Sequence, residues 1–100
     1  MSDNRDVEAL IAYRKLAAMG ITTMRQAMLL IAINYQDTIT TSELAKAIGI
    51  ARPNTGQLAA QLKEKGLLGW TEERQDRGKH KRFYFLTPKG KQAVELAKMP

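Results

Sequence analysis

The stretch Thr40-Thr41-Ser42-Glu43-Leu44-Ala45-Lys46-Ala47-Ile48-Gly49-Ile50-Ala51-Arg52 decides how this chain is read. Thr40 and Glu43 have the Thr-x-x-Glu spacing of a capping box, which opens a helix by satisfying two backbone N–H groups reciprocally. Leu44, Ala45, Ala47 and Ile48 then give that helix an apolar face, and Gly49 closes it after about two turns. A second helix is predicted from about Arg52 to Lys65, stopped by Gly66. Two short helices joined by a glycine-containing turn form a helix-turn-helix, here spanning 40–66.

On the C-terminal side, Leu67–Glu72 and Arg82–Leu86 are β-prone, being rich in Leu, Trp70, Thr71, Phe83, Tyr84 and Phe85. Between them, Glu73 to Lys81 is a charged hairpin with a turn signal at Asp76 to Gly78, so residues 67–86 form a basic wing. Thr87 followed by Pro88 caps a last helix over 87–98, with proline at the first helical position. On the N-terminal side, Ser2 or Asp3 caps a helix running to about Met19, with Gly20 just beyond it, so that 1–20 is one element. Its wheel carries two apolar stripes, one of Val7, Leu10, Ile11, Ala17 and Ala18 and the other of Ala9, Ala12, Tyr13, Leu16 and Met19. A helix apolar on two sides has two surfaces to bury. Thr23 and Gln26 form a further capping box, and the run Ala27–Ile33 is apolar all round. This helix is expected to be mostly buried, with Met24 and Met28 in the core. Around Ile39 lies a short β-prone stretch.

The 100 residues, 44% hydrophobic and 26% charged, suit one globular domain over 1–100. The net charge of +6 is wholly C-terminal: residues 1–50 hold five basic and five acidic residues, and 51–100 hold eleven and five. Such an excess points to nucleic acid or another anionic surface. With no cysteine and the single histidine His80, disulfide scaffolds, thiolate or multi-histidine metal sites and cysteine catalysis are excluded. No secretory signal is recognisable, and the longest apolar run is far short of the ~20 residues that cross a bilayer. The chain is therefore expected to be soluble and cytoplasmic, associated with the nucleoid and not with a membrane. No phosphate-binding glycine loop, paired-carboxylate context, Ser/His/Asp set or metal-ligand spacing is present, so no enzymatic activity, cofactor or metal is expected.

Placing Leu58, Ala59 and Leu62 of the second helix toward the core puts Thr55 on the same side. Pro53, Gly56, Gln57, Ala60, Gln61 and Glu64 then face away, with Asn54 at the flank. Small outward residues let a helix backbone approach a groove floor, Asn and Gln can pair bidentately with adenine, and Arg52 can reach guanine or a phosphate. Arg52, Pro53, Asn54, Gly56, Gln57 and Gln61 are accordingly the candidate base-reading residues, against the plainer reading of a loosely constrained solvated face. At the start of the preceding helix, Thr41 and Ser42 are candidate phosphate ligands, while Thr40 is better explained by capping alone. Between Arg74 and Lys91 stand seven basic residues (Arg74, Arg77, Lys79, Lys81, Arg82, Lys89 and Lys91) and one acidic, Asp76. Arg74, Arg77, Lys79, His80 and Lys81 are the wing's candidate DNA contacts, since phosphate neutralisation supplies most sequence-independent affinity. His80 reads equally as a plain surface residue. Phe83, Tyr84 and Phe85 beside Arg82 could stack bases, but strand alternation assigns at least one of these rings to the core.

In order and spacing, Ile39 to Arg52, Leu62-Lys63-Glu64-Lys65-Gly66-Leu67-Leu68, Asp76-Arg77-Gly78 and Leu86-Thr87-Pro88-Lys89-Gly90 resemble the winged helix-turn-helix of the MarR-type bacterial regulators, over residues 25–95. The resemblance implies a mainly α fold with a small antiparallel β-wing of two or three strands. It also implies a recognition helix in the major groove, a wing on the backbone or minor groove, and homodimers on pseudo-palindromic sites. Arg77, oriented by Asp76, would be the minor-groove residue, as in the family's Asp-Arg wing motif. Members of the family carry further terminal helices that build the dimer and often a small-ligand pocket. Here dimerisation is expected to rest on Leu10, Tyr13, Leu16 and Ala17 of the first helix, and a small-molecule effector is doubtful. Two features depart from the pattern: Ala51 stands where a serine cap is usual, and Pro53 and Gly56 make the start of the recognition helix atypical.

The expected function is sequence-specific binding of double-stranded DNA by a homodimeric transcriptional repressor. The alternatives are a winged-helix adaptor that binds another protein, and an architectural or plasmid-maintenance protein that binds DNA without sequence preference.

Overall fold

The computed structural model describes residues 4–36, 38–74 and 80–98. Eight elements follow one another: α1 (Asn4–Ala18), α2 (Met24–Tyr35), β1 (Ile39–Thr40), α3 (Thr41–Ile48), α4 (Arg52–Glu64), β2 (Leu68–Arg74), β3 (His80–Leu86) and α5 (Pro88–Lys98). The expected cap of α1 at Ser2 or Asp3 lies outside the described residues. The three strands form one antiparallel sheet in the order β1-β3-β2, with Ile39 opposite Tyr84 and Leu68 opposite Leu86. Helices plus a small antiparallel wing make this a winged helix-turn-helix.

Local chemistry sets the boundaries. Both capping boxes close: the Thr23 and Thr40 hydroxyls accept from the backbone N–H groups of Gln26 and Glu43, whose side chains accept in return from the N–H groups of Thr23 and Thr40. Gly49 ends α3 at φ 74°, a left-handed conformation that an L side chain resists and the helix-turn-helix turn requires. Thr87 Oγ1 accepts from the Gly90 N–H at 3.1 Å and donates to the Gly66 carbonyl at 2.6 Å, so one hydroxyl caps α5 and pins it to the end of the recognition helix. There the backbones nearly touch, for a Cβ on Gly90 would collide with the Leu67 carbonyl oxygen.

The core gathers one apolar face from every helix onto the sheet: Leu16, Ile21, Leu29, Leu30, Ile33, Ile39, Leu44, Ile48, Ala59, Leu62, Leu67, Tyr84, Ala93 and Val94. Each buried leucine or isoleucine contributes about 1.5–3 kcal/mol of transfer free energy. Lys65 Nζ donates to the Gly20 carbonyl, tying the end of α4 to the α1–α2 turn.

Three expectations need correction. Leu16, expected at a dimer surface, is 5% exposed and belongs to the protomer's own core, because α1 turns Ala12 and Leu16 inward. Met24 and Met28, expected in the core, are 79% and 37% exposed. For the same reason α2 is not mostly buried: Leu29, Leu30 and Ile33 fill its inner face, while Met24, Met28, Ile31 and Tyr35 lie on the outer one. An all-round apolar run gives no phase by which the inner face can be chosen.

Candidate nucleic-acid interface

Helix α4 presents the face that its sequence anticipates. Thr55, Ala59 and Leu62 are fully buried, and Arg52, Pro53, Asn54, Gln57, Ala60 and Gln61 are exposed, with Gly56 half-exposed among them. Thr55 spends its hydroxyl on the Ala51 carbonyl at 3.0 Å, which removes it from the outer surface. Ala51 is the N-cap in extended conformation and offers no side-chain bond, so the first N–H groups of α4 are left to solvent or a ligand. The departure at Ala51 thus leaves the helix start uncapped by any side chain. The outer face is short-chained and bears amides, with one cation, Arg52, at its N-terminal edge.

Helix α3 packs against α4 and starts beside the sheet. Ser42 is exposed, whereas Thr41 is half-buried with its hydroxyl 3.0 Å from that of Tyr84. Glu43, exposed in the same first turn, accepts from the Thr40 hydroxyl at 2.8 Å, from its N–H at 3.1 Å and from Gln36 Nε2 at 2.9 Å. These bonds, those from Thr40 first, hold the Glu43 carboxyl below its ordinary pKa, assisted by the charge of Lys81.

The wing pairs Arg74 with His80, Glu73 with Lys81 and Glu72 with Arg82 across β2 and β3. Arg74 and Lys81 are exposed, and His80 is the first residue of β3. Arg77 and Lys79, with Asp76, lie outside the described residues. Glu72 and Glu73 offset part of the basic charge, a balance that a count of cations along the hairpin does not show. Tyr84 is the aromatic residue that the core takes from Phe83-Tyr84-Phe85, and it meets Trp70 edge-on with ring centroids 5.7 Å apart.

Arg82 has no role in the sequence-derived site, yet among the described residues it is the most constrained cation of the wing. Its Nε donates to Glu72 Oε1 at 3.1 Å, and its guanidinium lies over the Trp70 ring, 4.3 Å from the centroid. Lys63 of α4 also lies over Trp70, with Nζ 4.1 Å from its centroid. Trp70 thereby receives two cations, and its cation–π contact with Lys63 links the recognition helix to the wing. Bonding to the Tyr84 hydroxyl, and then to Glu72, raises the Arg82 pKa above its ordinary value. The ladder ends with Thr40 opposite Phe83, so Thr41, which opens α3, and Arg82, which precedes Phe83, come to line one notch. These residues, with Arg52 and Pro53, line a notch of about 300 Å³ where α3, α4 and β3 meet.

A second surface lies on α1 and α2. Leu10 and Tyr13 are 60% and 64% exposed, Ala17 is exposed beside them, and Val7 is exposed one turn before Leu10. It runs into an apolar groove of about 670 Å³ lined by Tyr13, Ala17, Met24, Met28, Ile31 and Ala97, among others. Among the described residues no helix is long and apolar enough to cross a membrane.

The architecture is shared with known proteins. Streptococcus pneumoniae FabT, solved in complex with DNA, is 21% identical, with a TM-score of 0.68 over 77% of this chain and 52% of that one. The chain therefore spans about half the length of FabT. An S. aureus MepR mutant bound to an oligodeoxyribonucleotide is 27% identical, with a TM-score of 0.69 over 91% and 65% of the two chains. Bordetella bronchiseptica BpsR, a structure concerned with the regulation of its DNA binding by 6-hydroxynicotinic acid, is 26% identical, with a TM-score of 0.67 over 84% and 67%. No curated protein matches the chain. The MarR family model matches residues 19–82, from the turn before α2 into β3, which takes in the whole helix-turn-helix and most of the sheet. On that match, and on a winged-helix fold in common with these regulators, the chain belongs to the MarR family.

Proposed function

We propose that this chain is a transcription regulator that binds double-stranded DNA sequence-specifically as a homodimer and represses by occupying a promoter-proximal site. The observation that carries the reading is the outer face of α4, where Asn54, Gly56, Gln57, Ala60 and Gln61 combine small size with amide chemistry beside Arg52. Such a face enters a major groove closely, and its amides pair with adenine edges. Thr41 and Ser42 at the start of α3 take backbone phosphates, as do Arg74 and Lys81 of the wing; Arg77, Lys79 and His80 complete the wing's set. The exposed Leu10, Tyr13 and Ala17 supply the apolar contact between copies, which places two recognition helices one duplex turn apart, about 34 Å. The protein works in the cytoplasm at the nucleoid.

The test is selection from a random duplex pool, followed by sequencing of the bound fraction. A two-fold-symmetric consensus supports the reading, and binding without enrichment indicates an architectural protein. The exposed apolar patch on α1 and α2 favours a second reading, an adaptor that docks another protein. An apolar interface is insensitive to salt, whereas contact with several phosphates weakens steeply as salt rises.

A further inference from the structure

The notch between α3, α4 and β3 brings together two arginines and a threonine from three different elements. Arg52 comes from the first turn of the recognition helix, Thr41 from the first turn of α3 and Arg82 from the middle strand of the sheet. Each has a different degree of freedom. Arg52 is exposed, so its side chain can swing. Thr41 is oriented by its bond to Tyr84, 3.0 Å away. Arg82 is held on two sides, by Glu72 at 3.1 Å and by the face of Trp70. Glu72 engages Nε and the Tyr84 hydroxyl takes a further bond, and of the five N–H donors of a guanidinium the others are left for another acceptor. A fixed planar donor set in a notch that a second arginine also lines suits a compact oxyanion with several acceptor oxygens. A notch of about 300 Å³ is large enough to accommodate a phosphate group.

We propose that this notch seats a single phosphodiester of the duplex backbone between Arg52 and Arg82, and that Trp70 and Glu72 are positioning residues for Arg82. The inference rests on the DNA-binding reading and deepens it. One phosphate held jointly by the recognition helix and the wing fixes the angle between them on the duplex, and the Lys63–Trp70–Arg82 stack holds that angle in the free protein. Arg82 thereby contributes to affinity for every sequence and carries no base preference of its own.

The test is fluorescence anisotropy with a random-sequence duplex over a series of salt concentrations, for the wild type, Arg52→Gln, Arg82→Gln, the double variant and Glu72→Gln. Each single arginine variant is expected to lower affinity several-fold at low salt and to reduce the slope of log K against log salt by about one. Because both arginines act on one phosphate, the double variant should lose about the same slope as either single one, not about two. Glu72→Gln keeps a carbonyl oxygen to accept from Arg82 Nε and so preserves the positioning, while it removes a negative charge beside the phosphate; it should therefore raise affinity, an arm that holds even if Arg82→Gln disturbs the fold by circular dichroism.

A wild-type slope in Arg82→Gln, additive losses in the double variant, or weaker binding by Glu72→Gln would each overturn the proposal while leaving DNA binding intact. Saturable, Arg82-dependent binding of inorganic phosphate by the DNA-free protein would assign the notch to a free phosphate group and equally overturn it. If the wild type binds no duplex at low salt, the underlying reading fails and this inference with it.

Discussion

The hydroxyls of Thr41 and Tyr84 lie 3.0 Å apart across 43 residues of sequence, joining the first helix of the helix-turn-helix to the middle strand of the sheet. The Tyr84 ring is fully buried, and its packing against Trp70 does not depend on the hydroxyl. Tyr84→Phe should therefore cost only the hydroxyl's hydrogen bonds, to Thr41 and to Arg82, about 1–3 kcal/mol. The expected result is a lower urea midpoint with an unchanged m-value; an unmoved midpoint would mean that the bridge does not contribute.

Two glycines have opposite requirements. A Cβ on Gly90 meets the Leu67 carbonyl, which is backbone and cannot rotate away, so Gly90→Ala should destabilise by about 1–3 kcal/mol. Nothing lies within 4 Å of a Cβ on Gly56, which has ordinary helical backbone, so Gly56→Ala should stabilise by about 0.5–1 kcal/mol. The same methyl should nevertheless weaken DNA binding, because it thickens the face proposed to approach the groove. Thermal melts and duplex titrations on Gly56→Ala should thus move in opposite directions. A variant that gains stability and keeps full affinity would show that this face does not touch DNA closely.

Glu43 makes stability depend on acid in a defined direction. Its pKa is lower folded than unfolded, so its contribution is complete above the unfolded value of about 4.3 and is lost as pH falls toward the folded value. Glu43→Gln keeps the capping-box geometry without the charge. The Tm difference between wild type and Glu43→Gln should be constant near neutrality and shrink below about pH 4.3. A difference that stays constant down to pH 3 would contradict the bonding described for this carboxylate.

Two leucines on α1 separate assembly from folding. Leu10 is 60% exposed and Leu16 is 5% exposed. Leu10→Glu should leave the melting curve close to wild type and shift light-scattering mass from dimer to monomer. Leu16→Ala should instead destabilise by about 2–5 kcal/mol through the cavity it leaves. A wild-type protein that is monomeric at high concentration would remove α1 as a dimer surface.

What was legible in the sequence follows from how local each signal is. Thr23, Thr40, Gly49, Gly66 and Thr87 act within a few residues of themselves, and the element boundaries they mark agree with the structure. The inner face of α4 was also legible, because Ala59 and Leu62 leave Thr55 only one side to occupy. Leu16, Met24 and Met28 were misplaced for the opposite reason. On α1 and α2 both faces are apolar, and which one turns inward is decided by the packing of α5 and the sheet, far away in the chain. Arg82 was counted among the wing's cations but given no role, since its partners Trp70, Glu72 and Lys63 converge only once the strands pair in register.

The most direct measurement of the central claim is the affinity of the purified protein for random and selected duplexes at two salt concentrations, read by fluorescence anisotropy. The account predicts binding that falls steeply with salt, a two-fold-symmetric site enriched from the pool, and a relaxed preference at one base position in Gln57→Ala. Absence of binding to any duplex at low salt would contradict it and turn attention to a protein partner for the apolar face of α1 and α2.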